Sequence, residues 1–403
     1  MKTLINRTQR SLGALLLFFV LLSLSCGALA QVPVQQMDQS ELQLIHAIKQ
    51  IRAMKIDQAI DTLQSLIATK PRFKLAQLIY ADLLKSRTQA INHAGQPFNT
   101  DQEQLTELLD EARAHWNHYS QQMADNLVPR YLLKLNKDIK NVIIVDSSQS
   151  RLLLYKNENG VPSLLYDFYA SIGKNGVGKL TEGDKKTPIG VYFISRFLAP
   201  DNLPDYYGDG AFPLNYPNSW DKFRGRGGSG IWLHGNPLGT FSRPPLDSDG
   251  CVTVSNDDLE KLKPYIAVDQ KTPVIITNKI EWVSVKDIQR RKNDFLARLM
   301  QWKKDWESMN RTKFLSHYSR EFDAEGKDYN QWVRKVSYSM DKTPVNIAIN
   351  DISIFQYPGN DKVTIITFEQ TVTTPQHKEK ERKRLYLKRE QDAVWRIFYE
   401  GSV

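Results

Sequence analysis

Cys251 and His234 are the residues of this 403-residue sequence best suited to covalent chemistry. His234 follows the strand-like run 231–233, and Cys251 lies at the start of a second strand-like run within residues 248–254. A thiol attacks as its thiolate, so it needs a neighbouring base or positive charge. Two strands joined by a loop of this length can bring the imidazole beside the thiol. The pair therefore predicts a Cys-His site for acyl transfer.

Gly250 and Asp249 precede the thiol and affect it in opposite ways. A glycine lets backbone N–H groups approach a developing oxyanion that a larger residue would hinder. A carboxylate that faced the thiol would disfavour the thiolate. Strand alternation predicts Asp249 and Cys251 on one face and Gly250 on the other, unless the turn before the strand breaks it.

The cysteine count supports a functional thiol. The chain has only two cysteines, which excludes a disulfide-rich scaffold and a cysteine-based zinc site. Cys26 lies in the N-terminal segment that we expect to be removed, so Cys251 would be the single thiol of an exported protein. The alternative, in which Cys251 is a small buried hydrophobe and His234 a core histidine, fits this context less well.

Residues 1–30 have the layout of a secretory signal peptide. They combine three basic residues and no acidic ones with the apolar run 12–24 and the small-x-small site 28–30. We therefore predict a periplasmic protein that contacts the membrane only if this signal stays uncleaved. A lipidated Cys26 is the alternative, but Ser23 stands where a lipoprotein signal has a large aliphatic residue.

Hydropathy divides the rest of the chain into three parts. Residues 31–130 have helical apolar stripes and tetratricopeptide-like spacing, which predict a helical-hairpin domain. Within it, His115 and His118 share a helix face, and we expect them to be solvated or to face a partner. Residues 135–285 change to short β-branched runs without a long helix, which predicts a mostly β, antiparallel domain.

Residues 286–403 predict an α+β domain, with a helix through Trp306 followed by long strands. The formal net charge of the chain is +9, and this last part holds 23 Lys and Arg against 17 Asp and Glu. The surplus suits either an anionic polymer or an ordinary solvated surface. Hydrophobic residues at 41% and charged residues at 25% exclude disorder, collagen and coiled coil as the dominant state.

Several motifs together resemble a known family. They are Ser171–Gly176, Gly183–Gly190, Ile231–Gly235, Ser242–Pro245 and Ser248–Val252. His234-Gly235 followed by Ser248-x-Gly250-Cys251 is similar to the signature of YkuD-type L,D-transpeptidases. Ser242–Pro245 and Ser248–Val252 resemble the YafK-like branch specifically. The C-terminal part resembles the NTF2-like domain that accompanies some of these enzymes. The implied fold class is multidomain: an α-helical N-domain, a mostly β catalytic domain and an α+β C-domain.

The resemblance implies a cysteine acyl-transfer enzyme of the cell wall. Cys251 would attack the carbonyl before the terminal D-alanine of a peptidoglycan tetrapeptide stem, and His234 would carry the proton. The backbone N–H groups of Asp249, Gly250 and Cys251 would hold the oxyanion. The acceptor would be a stem amine, a lipoprotein lysine or water. The alternatives are a hydrolase of the same fold that detaches lipoprotein or D-alanine, and a non-catalytic wall-binding scaffold.

Two departures from the family pattern affect the predicted substrate contacts. Asp249 stands where many members have His, and Thr253 stands where many have an Arg for the stem carboxylate. Arg243 is our candidate to replace that Arg, because a guanidinium binds a carboxylate through two hydrogen bonds. The full set of expected substrate-binding residues is Arg243, Ser248, Gly235, Trp232 and Tyr216. Core packing is the alternative role of Trp232 and Tyr216, and of Tyr206 and Trp220.

We expect no cofactor, no metal and no nucleic acid. Residues 173–179 fit a phosphate-loop pattern, but Leu180 stands where that motif needs Ser or Thr for magnesium. The glycine-rich run 225–230 predicts a flap or turn beside the active site. The basic run 378–383 alternates with glutamates, which favours a solvated hairpin.

Overall fold

The computed structural model describes residues 37–89, 93–95, 101–121, 127–324, 327–340, 344–359 and 362–402. The helices are α1 Gln39–Arg52, α2 Ile56–Thr69, α3 Lys74–Ser86, α4 Gln102–Ser120, α5 Ser219–Phe223, α6 Asn256–Leu262, α7 Val285–Glu307, α8 Arg311–Leu315 and α9 Tyr329–Met340. The predicted signal peptide, with Cys26, lies outside the described residues. Of the helices described, none combines the length and the apolar character that crossing a membrane requires.

Within the described residues, the strands form six sheets of two to five strands. They are β1 Leu127–Pro129, β2 Leu132–Lys134, β3 Asn141–Asp146, β4 Arg151–Glu158, β5 Val161–Tyr169, β6 Ile172–Gly173, β7 Gly190–Phe193, β8 Ala211–Pro213, β9 Trp232–His234, β10 Leu246–Ser248, β11 Val252–Thr253, β12 Pro273–Thr277, β13 Trp282–Ser284, β14 Asp323–Ala324, β15 Lys327–Asp328, β16 Asn346–Gln356, β17 Val363–Thr373, β18 Lys378–Arg389 and β19 Trp395–Ser402.

Helices α1–α4 form the N-terminal unit, as the apolar stripes predict. Ile45, Ile48 and Leu63 are buried in its core, which α3 and α4 complete. Two helices begin at aspartates whose side chains accept backbone N–H groups: Asp38 from Ser40 at α1, and Asp101 at α4. Such caps satisfy N–H groups that have no partner inside the helix.

A buried cluster of charges joins these helices to the first strands of the β region. Arg151 is 1% exposed, and its guanidinium donates to Glu41 of α1 at 2.7 Å and to Asp167 of β5 at 2.7 Å. On α4, His115 donates to Glu41 at 2.6 Å and His118 donates to Asp167 at 2.7 Å. The solvated placement expected of the two histidines is therefore wrong, because carboxylates from distant segments surround them.

The central sheet has the order β5-β4-β3-β12-β7 and is mixed rather than antiparallel. Strand β12 runs parallel to β3, with Val274 opposite Ile143, whereas the other neighbours are antiparallel. The antiparallel prediction is wrong for β3 and β12 because the chain makes a long excursion between them and returns in the same direction. Strand β3 is buried on both faces, which explains its continuous apolar run.

That excursion contains two smaller sheets. In one, of order β11-β9-β8, β11 runs parallel to β9. In the other, β10 pairs with β6 in parallel. Strands β9, β10 and β11 carry the predicted catalytic segments.

The C-terminal part has a five-stranded antiparallel sheet of order β19-β18-β17-β16-β2. The C-terminal part also contains helices α7 and α9. The sequence analysis did not predict α9. One face packs under α7, with Trp302 and Phe368 buried there. The other face shares a core with the central sheet, in which Ile144 and Ile275 lie with Phe355 and Phe398.

Candidate active site

Cys251 and His234 lie on two neighbouring parallel segments, the thiol just before the start of β11 and the imidazole at the end of β9. Cys251 immediately precedes β11, and the pairing of β11 with β9 sets Thr253 opposite His234. The Sγ atom of Cys251 lies 3.4 Å from the carbonyl oxygen of Gly230. The glycine-rich run 225–230 thus reaches the thiol. The structure thus pairs the strand that ends in His234 with the strand that follows Cys251.

Asp249 does not share the strand alternation assumed for it. It lies in the bend between β10 and β11, and its side chain is 74% exposed and 3.6 Å from Lys185. The carboxylate therefore pairs with a lysine at the surface. Its charge makes only a small contribution to raising the pKa of Cys251.

Ser248 and Gly250 shape the turn that presents Cys251. The Ser248 hydroxyl donates to the carbonyl of Cys251 at 2.6 Å and accepts the N–H of Gly250 at 3.1 Å. Gly250 has φ +125°, and a Cβ there would lie 2.9 Å from the carbonyl oxygen of Lys186. Of the three predicted oxyanion donors, the Gly250 N–H is thus engaged inside the turn. Ser248 organises the turn rather than facing an open cleft.

Thr187 is a site residue that sequence reasoning missed. Its buried hydroxyl donates to the carbonyl of Gly250 at 3.0 Å and accepts the N–H of Gly173 at 2.9 Å. It ties the turn before Cys251 to the segment 173–187. The only signal was its place in the Gly183–Gly190 motif, which assigns no role to the hydroxyl.

His234 is held as a neutral base. It is 0% exposed, and its Nδ1–H donates to the carbonyl of Gly235 at 2.7 Å. Within the described part of the chain, Nε2 is buried and has no hydrogen-bond partner. Burial lowers the pKa of His234 to about 4; the bond to Gly235 opposes this shift, whereas the charge of Arg243 adds to it. The lone pair of Nε2 is therefore available at neutral pH.

The thiol is also neutral at rest. Burial raises the pKa of Cys251 to about 11, although the backbone N–H of Trp232 and the charge of Arg243 act in the opposite direction. A neutral thiol and a neutral imidazole suit proton transfer that accompanies attack, rather than a preformed thiolate–imidazolium pair.

Arg243 lies close enough to bear on both groups. Its Nε donates to Asp247 Oδ2 at 2.6 Å, and one Nη donates to the Asp247 carbonyl at 2.8 Å. The guanidinium lies 5.2 Å from the ring of Tyr206, whose centroid is 5.7 Å from that of His234. The other Nη is buried and, among the described residues, has no partner.

The aromatic residues considered either as substrate contacts or as core residues divide into two groups. Trp232 packs against Tyr207 at 4.8 Å, and Tyr207 lies 4.9 Å from His234, so these rings border the site. Tyr216 is buried in the core, and its hydroxyl donates to the carbonyl of Gly227 at 2.8 Å. Trp220 packs 5.0 Å from Phe398 of the C-terminal sheet. Tyr207, which the sequence analysis passed over, is closer to the imidazole than Tyr206.

The phosphate-loop-like segment has a structural role. Lys179 is buried and donates to Asp184 at 2.8 Å, while the same carboxylate accepts the N–H groups of Leu180, Thr181 and Lys186. These bonds hold the pKa of Asp184 well below its usual range, although burial opposes them. Across the described residues, no three His, Cys, Asp or Glu side chains are grouped as a metal site would require.

Two models of known protein families match parts of this chain. Residues 140–276 match the L,D-transpeptidase catalytic domain, YkuD, and residues 294–401 match the Cds6 C-terminal NTF2-like domain. The chain thus carries a YkuD-type L,D-transpeptidase catalytic domain followed by an NTF2-like domain.

Solved structures resemble the two parts together. Bd1075 of Bdellovibrio bacteriovorus superposes with a TM-score of 0.61 at 29% identity, over 69% of this chain and 98% of Bd1075. The helical cell shape determining protein Pgp2 of Campylobacter jejuni superposes with a TM-score of 0.58 at 28% identity, over 68% of this chain and 95% of Pgp2. No curated protein sequence matches the chain.

Proposed function

We propose that this protein is an exported L,D-transpeptidase that forms an acyl-enzyme on Cys251 with peptidoglycan tetrapeptide stems. The observation that carries the proposal is the state of His234. It is fully buried, its Nδ1–H is fixed on Gly235, and its Nε2 is left to accept a proton. Cys251 comes directly before the strand that pairs with the one ending in His234. This pairing of strands supports the proposal, because a general base has to lie near its nucleophile.

The proposed acylation moves one proton and exchanges one bond. Cys251 Sγ bonds to the carbonyl carbon before the terminal D-alanine while Nε2 of His234 takes the thiol proton. The C–N bond to D-alanine then breaks, and the imidazolium returns that proton to the leaving amine. In the second half, an acceptor amine or water attacks the thioester, loses its proton to His234, and Cys251 leaves as the thiol.

The backbone N–H groups of Asp249 and Cys251 are our candidates for the oxyanion site. The Gly250 N–H, the third donor predicted, is bound to Ser248 in this structure. Donors already fixed in place need no reorganisation as charge develops on the substrate oxygen.

Arg243 is our candidate for binding the carboxylate of the stem. One of its Nη atoms is buried without a hydrogen-bond partner among the described residues, and the guanidinium is close enough to shift the pKa values of His234 and Cys251. Trp232 and Tyr207 border the same site. A carboxylate held at Arg243 would align the scissile amide with Cys251.

Cell shape is the process in which we place this activity. Pgp2, one of the similar structures, is described as a helical cell shape determining protein. Changing stem crosslinks changes the wall that sets the shape. The NTF2-like domain shares a core with the catalytic sheet, so the two parts would act on the wall as one unit.

The test uses purified tetrapeptide muropeptides and lipoprotein-linked sacculi, with products read by mass spectrometry. The enzyme is compared with Cys251→Ala and His234→Gln. We expect a thioester adduct, D-alanine release and crosslinked dimers from the wild type alone. Tripeptides without dimers would identify water as acceptor, and released lipoprotein would identify a detaching hydrolase. Identical products from wild type and Cys251→Ala would reject the enzyme and favour a wall-binding scaffold.

A further inference from the structure

The loop from residue 235 to residue 245 carries Arg243, and the N-terminal helices hold it from outside. Ser242, the neighbour of Arg243, donates its hydroxyl to Glu111 of α4 at 2.6 Å. Glu111 is 1% exposed and Ser242 is half-buried, so this hydrogen bond is partly shielded from water. The helical unit thus contacts the residue directly before the guanidinium at the site.

Two further contacts fix the same loop to the helices. The ring of Phe241 lies 4.6 Å from that of Phe73, which is buried in the helical core. Arg72 donates to the carbonyl of Leu238. The loop is therefore held at three points along its length by residues of the helical unit.

The backbone of Arg243 is held from the opposite side by the β region. Its carbonyl accepts hydrogen bonds from the hydroxyls of Tyr169 at 2.9 Å and Ser171 at 3.2 Å. The ring of Tyr169 stacks on His115 of α4 at 4.3 Å. His115 is in turn bound to Glu41 in the buried charge cluster. The contacts on both sides of the loop therefore connect it to helix α4, through Glu111 on one side and through Tyr169 and His115 on the other.

We propose that Glu111 and Ser242 are positioning residues that make the N-terminal helices part of the active site, because they set where Arg243 lies. This inference rests on the proposed function for the role of Arg243 toward substrate. Its effect on the thiol needs no substrate, because the charge of Arg243 stabilises the thiolate of Cys251. Loss of the Ser242–Glu111 bond should therefore weaken both stem binding and thiol ionisation.

The test compares Ser242→Ala and Glu111→Gln with Ser242→Thr, which keeps the hydroxyl. Arg113→Gln is the control, since Arg113 lies on the same helix in an exposed pair with Asp110. The rate of thiol alkylation by iodoacetamide, measured against pH, should fall about threefold for Ser242→Ala at a given pH. KM for the tetrapeptide should rise about tenfold with little change in kcat. For a tetrapeptide whose carboxylate is amidated, KM should not rise in the variants, because Arg243 then has no carboxylate to bind.

Three results would overturn the inference. The first is that Ser242→Ala and Glu111→Gln keep the alkylation rate and the KM of the wild type, even if these variants are less stable. The second is failure of Ser242→Thr to restore both values. The third is an equal loss in Arg113→Gln. A wild-type protein that releases no D-alanine would reject the proposed function instead, and the alkylation profile would still decide the positioning role.

Discussion

The hydroxyl of Thr187 donates to the carbonyl oxygen of Gly250 across 3.0 Å, and this bond fixes the peptide that leads into Cys251. The same hydroxyl accepts the N–H of Gly173, so one buried oxygen joins two loops. Buried polar groups that lose such a partner cost more than the bond itself contributed.

Thr187→Val should therefore loosen the turn that presents Cys251. Two backbone groups would lose their partner inside the protein, and we expect a loss of about 1–3 kcal/mol in the free energy of unfolding. D-alanine release should fall with it. Urea unfolding and the release assay measure the two effects. Thr187→Ser keeps the hydroxyl and should stay near wild type; an equal loss in that variant would argue against the hydrogen bonds as the cause.

The pH dependence of the thiol should lack a plateau near neutrality. With pKa values of about 11 for Cys251 and about 4 for His234, both groups are neutral between these limits. Alkylation by iodoacetamide should rise about tenfold per pH unit toward the alkaline limit. The rate of D-alanine release should be flat near neutral pH and fall as His234 takes up a proton near pH 4. An alkylation plateau below about pH 7 would instead indicate a preformed thiolate–imidazolium pair.

Stability should fall at alkaline pH because of His115. Burial alone would lower the pKa of His115, but Glu41 and Glu111 outweigh it and raise the pKa to about 9. A folded-state pKa above the unfolded value of about 6.5 gives stability that is complete below about 6.5 and is lost as the pH rises through about 9. Urea unfolding across this window should show a loss of about 3 kcal/mol. A similar loss in His115→Gln would assign the pH dependence to another group.

Removing Arg151 should destabilise the fold strongly. Arg151→Met would leave Glu41 and Asp167 buried without their shared cation, at a cost of about 3–5 kcal/mol in unfolding free energy. Arg113→Gln, in an exposed pair, should change it by less than about 1 kcal/mol. Thermal and urea unfolding of both variants measure the difference. Comparable losses in the two variants would show that the buried charge cluster contributes no more to stability than an exposed ion pair.

Gly250→Ala should impair the site more than a comparable change nearby. The residue has φ +125°, and an added Cβ would meet the Lys186 carbonyl at 2.9 Å. Shifting this peptide would displace Cys251, and D-alanine release should fall at least about tenfold. Gly227→Ala is the control, since a Cβ there meets nothing within 4 Å. Equal activity of the two variants would contradict the steric argument.

Local patterns predicted the elements well. The apolar stripes of α1 and α2 and the β-branched runs of β3, β7 and β12 are confirmed, as are the three parts of the fold class. The spacing of His234 and Cys251 predicted neighbouring strands, and the structure has them. The chemical roles of the two residues and the domain boundaries stay predictions.

The features that the sequence analysis missed depend on residues far apart in the chain. Arg151 and Glu41 are separated by 110 positions, so no local pattern in the sequence indicates that their side chains meet. Thr187 carries no pattern that reveals a bond to Gly250. Strand β12 pairs in parallel with β3 because the chain returns to the central sheet in the same direction after the long segment between them. The alternation of residues along a strand does not encode that direction.

Strand β2 has a consequence for how the chain can be divided and made. It comes before the catalytic sheet, yet it pairs with β16, more than 200 residues later. A ribosome would release the whole catalytic segment before β16, the partner of β2, emerges. Until then the edge of β2 and the apolar face of the central sheet stay uncovered. A chain cut after residue 285 would keep that state permanently. The NTF2-like part is therefore a folding partner of the YkuD-type domain, and export in an unfolded form would let both halves fold together.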